Sequence, residues 1–120
     1  MVLVDTSIWV THLRREKPHL RELLEEARVV SHSFVIGELA CGNLDPRSEI
    51  LSLLNALPAA EVADHEEVLE LIERRALMGT GIGYIDAHLL SSALLSDMPL
   101  WTADRRLAEV SRDLGVAYPA

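Results

Sequence analysis

The sequence predicts an α/β fold, a three-layer α/β/α sandwich around a short, mostly parallel sheet, and three observations predict it. Short apolar runs rich in β-branched residues, Val2-Leu3-Val4, Arg28-Val29-Val30 and Leu100-Trp101-Thr102, have the length of buried strands. Between them lie longer segments whose apolar residues recur at helical spacing. Parallel strands require crossover connections, and those amphipathic segments supply them. With 120 residues, 49% hydrophobic and 25% charged, the chain suits one globular domain spanning residues 1–120.

Each element has its own signal. After the first strand, Thr6 or Ser7 is the expected cap of a helix through Ile8, Trp9, His12 and Leu13, which Pro18 stops. Residues 19–27 repeat the pattern with Leu20, Leu23 and Leu24 before the second strand. Ser33 is the expected cap of a helix through Phe34, Ile36, Leu39 and Ala40 that ends at Gly42-Asn43. Asp45-Pro46 opens a helix through Ile50, Leu53 and Leu54, and Glu61-Val62-Ala63 is expected to form a short strand. Asp64 caps the amphipathic helix carrying Val68, Leu71 and Ile72, which ends in Gly79-Thr80-Gly81-Ile82-Gly83. That glycine stretch follows a helix and lacks the Gly-Lys-Ser/Thr ending of a phosphate loop, so its expected task is to turn the chain toward Asp86. A helix from Tyr84 runs to Met98-Pro99, and Asp104 opens the last one, through Leu107, Val110 and Leu114 to Gly115. Val116-Ala117-Tyr118 is expected to add an edge strand.

Charge and cysteine content narrow the function. Eleven Lys and Arg against nineteen Asp and Glu give a net charge of −8, so nonspecific electrostatic binding of nucleic acid is disfavoured and any such contact must be local or metal-assisted. The single Cys41 cannot form an internal disulfide, and it is expected to be a small buried apolar residue. A reducing cytoplasm is the expected setting. The start Met-Val-Leu-Val-Asp argues against a signal peptide, and no run reaches the roughly 18 apolar residues of a membrane span.

Most acids, among them Glu22, Glu66 and Glu70, fall on polar helix faces, but four do not. Asp5 stands at the carboxyl end of the first strand and Asp104 just beyond the third, where open α/β sheets place their ligand crevice. Glu38 and Asp86 lie among apolar neighbours, where a carboxylate is expected to press against the core and need partners. Singly, Asp104 also reads as a helix cap, Asp86 as a first-turn acid and Glu38 as half of a salt bridge. Jointly, converging oxygen ligands without His or Cys select Mg²⁺, or Mn²⁺ in its place, and suit hydrolysis of phosphodiesters by an activated water.

These segments resemble a known family. Val4-Asp5-Thr6-Ser7, Glu38-Leu39-Ala40-Cys41-Gly42, the block from Gly81 to Leu90 containing Tyr84-Ile85-Asp86-Ala87-His88, and Trp101-Thr102-Ala103-Asp104-Arg105-Arg106-Leu107 are similar, in order, to the four signature segments of PIN domains. More narrowly they resemble VapC-type toxins of bacterial toxin-antitoxin pairs. The resemblance covers residues 2 to 116 and implies a PIN-like fold, a Mg²⁺- or Mn²⁺-dependent endoribonuclease, frequent homodimers and a cognate VapB-like antitoxin. It implies that Asp5, Glu38, Asp86 and Asp104 are the catalytic and metal-binding acids, with Ser7 and Thr102 orienting them and Thr6 supporting them as a cap. Leu107 departs from the aromatic residue common at its position, which is expected to affect packing alone.

Other residues read more plainly. The five histidines show no metal-ligand pair and are expected at the surface or in helix packing. Trp9 and Trp101 fall in apolar patterns that predict core or dimer packing, although either type of ring can stack on a base. Arg14, Arg15 and Lys17 form the densest basic run, while Arg105 and Arg106, beside Asp104, are the better candidates for contact with an RNA phosphate. Leucines near residues 51–54 and 89–95 exceed the expected need of a small core and predict a homodimer. Two alternatives stand beside the nuclease: a non-catalytic module binding RNA or a partner, and a receiver-like phosphotransfer domain, which Lys17 is poorly placed to serve.

Overall fold

Along β1 (Val2–Val4), successive side chains point to opposite faces, yet none of the three is more than 1% exposed. Both faces of the sheet are therefore covered, which is the arrangement of a parallel sheet flanked by helices. The computed structural model describes residues 1–119. After β1 come α1 (Thr6–Arg14), α2 (Pro18–Glu25), β2 (Val29–Val30), α3 (Ser33–Ala40), α4 (Arg47–Ala56), α5 (His65–Arg74), α6 (Tyr84–Leu95), β3 (Leu100–Trp101) and α7 (Arg105–Asp113).

The strand order is β2-β1-β3, and both pairings are parallel, with Val2 opposite Val29 and Leu3 opposite Leu100. The parallel register aligns the carboxyl ends of all three strands on one rim. Asp5, Ser31 and Thr102 follow those ends directly, and α1, α3 and α7 start there. The core joins the strands to Ile8, Trp9, Leu20, Leu23, Val35, Leu39, Leu89, Leu90 and Leu107. Leu107 is fully buried, so its departure from an aromatic is a matter of packing, as expected. Every residue of α6 from Ala87 to Ala93 is buried, so the middle of this helix is enclosed on all sides and only its ends reach water.

Several details differ from expectation. The cap of α1 is Asp5 itself, whose carboxylate accepts the Ser7 amide, and Thr6 is the first helical residue. His32, in place of Ser33, caps α3 by accepting the Phe34 amide at Nδ1 (3.0 Å). Residues 61–63 form no strand. The chain bridges earlier, where Ala59 pairs with Ser31 and the Ala60 amide donates to the Ser31 carbonyl at 2.7 Å. The expected edge strand at 116–118 is reduced to one parallel bridge between Ala117 and Leu100. Cys41 is exposed, because Val35 and Leu39 take the core side of α3 and the chain leaves the core after Ala40. Of the leucines predicted to exceed the core's need, Leu54, Leu89 and Leu90 are consumed by it, while Leu53 and Leu95 remain exposed. No helix among the described residues is long and apolar enough to cross a membrane.

Candidate active site

Asp5 is 5% exposed and would be costly as an isolated charge, but its Oδ2 collects three donors. The Ser7 hydroxyl lies at 2.7 Å, the Thr102 hydroxyl at 2.8 Å and the Ser7 amide at 3.4 Å. The two hydroxyls are 3.3 Å apart and are themselves tied to the next segment: the Ala103 amide donates to Ser7 Oγ and the Asp104 amide to Thr102 Oγ1, each at 3.0 Å. Six polar groups thus lock the end of β1 to the β3–α7 turn. Ser7 and Thr102, singled out in the sequence as supports, both lie in this network.

The other three acids stand around it. Asp104 caps α7 through Oδ1, which accepts the Leu107 amide at 3.0 Å. Asp86 sits in the first turn of α6, where Oδ2 accepts the Gly83 amide at 3.0 Å, so the glycine stretch does turn the chain to deliver it. Glu38 lies on α3 with Oε1 accepting the Thr6 hydroxyl at 2.7 Å. Its expected apolar burial is not found. Glu38 is exposed, because positions 35 and 39 hold the core face of α3 and position 38 falls on the open side. Thr6 contributes as a donor to Glu38, in place of the capping role expected for it.

One pattern unites the four. Each carboxylate has one oxygen held by a protein donor, while its second oxygen has no protein hydrogen-bond donor among the described residues. No Lys, Arg or His among the described residues forms an ion pair with any of them. Burial raises the pKa of Asp86, the Gly83 amide opposes that rise, and repulsion from Asp5, Asp104 and Glu38 adds to it. Asp86 is therefore near enough to feel the other three. The convergence expected from the sequence is incomplete: among the described residues no three acids, histidines or cysteines stand at a spacing that holds an ion, and like charges with nothing between them repel. An oxygen-only donor set, pre-oriented on one side and uncompensated on the other, fits a hard divalent cation.

The two arginines differ. Arg105 is paired with Glu109 at 3.3 Å on the surface. Arg106 lies across the glycine stretch: a Cβ on Gly81 would come within 2.5 Å of its Cδ and 2.6 Å of Nη1. Gly81, Asp104, Arg105, Arg106 and Glu109 together line an open depression. The histidines stay out of the acidic cluster. His88 is buried edge-on against Phe34 and Tyr84, as expected of helix packing. His32 has a part that the sequence did not reveal: it is fully buried, and its Nε2 and the Ser92 hydroxyl, 3.0 Å apart, link α3 to α6. Burial, and to a lesser degree His88, lowers its pKa to about 4.

Comparison with known proteins gives concordant results. The chain is 46% identical over 118 residues to Ribonuclease VapC32 of Mycobacterium tuberculosis, in strains CDC 1551 / Oshkosh and ATCC 25618 / H37Rv, covering 98% of this chain and 95% of the relative. The crystal structure of PAE2754 from Pyrobaculum aerophilum superposes with a TM-score of 0.69 at 19% identity, over 98% of this chain and 87% of that one, a likeness of fold. The PIN domain matches residues 2–113, from the first residue of β1 to the last of α7. The chain belongs to the PIN-domain family.

Proposed function

We propose that this protein is a metal-dependent endoribonuclease of VapC type, acting as one PIN-like domain over residues 1–120, and that Asp5, Glu38, Asp86 and Asp104 hold its Mg²⁺. The observation that carries the proposal is the array of four carboxylates, each with one oxygen held and, among the described residues, the other without a donor, and none of the four in an ion pair. Mn²⁺ meets the same donor set as a substitute. The chemistry a divalent ion supplies in such a site is activation of water and neutralisation of charge at phosphorus and the leaving oxygen.

The chain's own residues do the rest. Ser7 and Thr102 fix Asp5 on the rim, and through the amides of Ala103 and Asp104 they hold Asp104 beside it. Glu38, exposed and anchored by Thr6, is placed to accept the proton of the attacking water. Arg106, which makes no ion pair among the described residues, meets the phosphate approaching Asp104, with Arg105 outside it. In-line attack by water forms a P–O bond and breaks the P–O3′ bond, leaving a 5′-phosphate and a 3′-hydroxyl that takes up the proton. The similarity to Ribonuclease VapC32 supports RNA as substrate and a VapB-like antitoxin as partner. The exposed Leu53 and Leu95 support a homodimer.

Purified protein incubated with total RNA and Mg²⁺ or Mn²⁺ tests the proposal. We expect discrete fragments with 5′-phosphate ends, and at least a hundredfold slower cleavage by Asp5→Asn and Asp86→Asn, a scale of about 3 kcal/mol. Cleavage by wild type in EDTA as fast as with Mg²⁺, or undiminished cleavage by Asp5→Asn, would overturn it. A chain that binds metal and RNA without cutting would support the alternative of a non-catalytic module.

A further inference from the structure

A cavity of about 710 Å³ lies away from the four acids, between the turn joining α1 to α2 and the segment after α7. Its walls combine aromatic rings with cationic side chains. Trp101, 6% exposed, is among the residues that line it. His19 stands edge-on to that indole at a centroid distance of 5.4 Å and is stacked with Tyr118 at 5.8 Å and 22°. His19 Nε2 and the Tyr118 hydroxyl share a hydrogen bond of 2.7 Å, which fixes the two rings as a pair. Arg15 and Lys17 also line the cavity. The acid between them, Glu16, is engaged by Arg21 at 3.3 Å, and neither Arg15 nor Lys17 forms an ion pair among the described residues.

We propose that this cavity is a nucleotide subsite: an unpaired base of the RNA strand stacks against the His19–Tyr118 pair over Trp101, and its phosphate lies against Arg15 and Lys17. The inference rests on the ribonuclease reading for the identity of the strand, and charge complementarity favours that occupant. In a chain of net charge −8, two cations beside aromatic rings, neither in an ion pair among the described residues, suit an anion that carries a flat ring. Position agrees. Thr11, which lines the cavity, is one helical turn beyond Ser7 and donates to its carbonyl, while Trp101 directly precedes Thr102. The subsite thus borders the elements that hold Asp5, and a strand bound there can continue to the acidic rim. Stacking accepts any base, so the subsite adds affinity and register while leaving sequence choice to other contacts.

Fluorescence anisotropy of a labelled oligouridylate of about ten nucleotides, with the full chain in EDTA so that binding is read apart from cutting, tests the inference. Tyr118→Ala is expected to bind about tenfold more weakly, whereas Tyr118→Phe, which keeps the ring, stays within about twofold of wild type. Arg15→Gln combined with Lys17→Gln is expected to weaken binding and to flatten the dependence of log Kd on log salt by about 1.4. Thermal melts identify any variant that fails to fold, and the Phe and Gln variants keep the test decisive if the Ala variant does. Equal affinity of all folded variants would overturn the subsite, including the case where the cavity serves a protein segment. If the wild type then still cuts RNA with Mg²⁺, the ribonuclease reading survives that loss. If RNA is bound with the expected pattern but never cut, the subsite stands and the catalytic reading falls.

Discussion

Gly81 has a φ of +89° and the Arg106 side chain across it, so two separate costs meet at one atom when a methyl group is added there. Gly81→Ala is expected to lose about 1 kcal/mol of stability and to cleave RNA about tenfold more slowly as Arg106 is displaced. Arg106→Ala should reproduce the slower cleavage without the loss of stability, which denaturant melts and initial rates together will show. His32 offers a test by pH. Its Nδ1 accepts the Phe34 amide, so the ring is neutral with the proton on Nε2, where it meets Ser92 Oγ; the Ser92 hydroxyl in turn donates to the Glu61 carbonyl at 2.7 Å. A lowered pKa means that the unfolded chain takes up a proton before the folded one does. Stability is therefore complete above pH 6.5 and falls as the pH drops toward about 4, by on the order of 2 kcal/mol. Urea titrations across that range should show the slope in wild type and lose His32's share of it in His32→Asn, which retains a capping side chain.

At the scale of elements, punctuation was legible wherever a local hydrogen bond decides it. Asp64 was expected to cap α5, and it does so in a reciprocal box, with its Oδ1 accepting the Glu67 amide at 2.9 Å and Glu67 accepting the Asp64 amide at 3.0 Å. Asp64→Ala should cost about 1 kcal/mol in a chemical melt and leave the cleavage rate unchanged, because α5 contributes no acid to the rim. The misread elements have non-local causes. Residues 61–63 have strand composition, but pairing is settled at 59 and 60 by the reach of Ser31, which sequence does not display. His32 displaced Ser33 as cap because burial against Ser92, sixty residues away, holds the ring over the helix end. The same limit applied to Glu38, whose flanking apolar residues proved to occupy the other side of α3.

For the molecule as a whole, four acids separated by up to 99 residues were legible as a group through strand ends and family resemblance, and the fold places them on one rim. What the sequence withheld was the division of each carboxylate into a held and a free oxygen, since the donors come from residues as distant as Thr102. That arrangement links metal to stability. Asp86 has a raised pKa in the protein without metal, so its contribution is fully present below its unfolded value of 3.8 and is lost as the pH rises through the raised one. Mg²⁺ at a hundred times its Kd is expected to return about 2.7 kcal/mol at neutral pH and less under acid conditions, measured as a shift in Tm. Asp86→Asn should melt higher than wild type in EDTA and gain less from Mg²⁺.

The exposed residue that follows α3 has a practical sequel. Cys41 is the only thiol in the chain, it is accessible, and it lies three residues, less than one helical turn, beyond Glu38. A maleimide dye therefore attaches at one stoichiometric position on the native protein, with no engineered cysteine and none to remove. Its emission would report, from the edge of the rim, the arrival of an ion, a strand or an inhibitory polypeptide in real time.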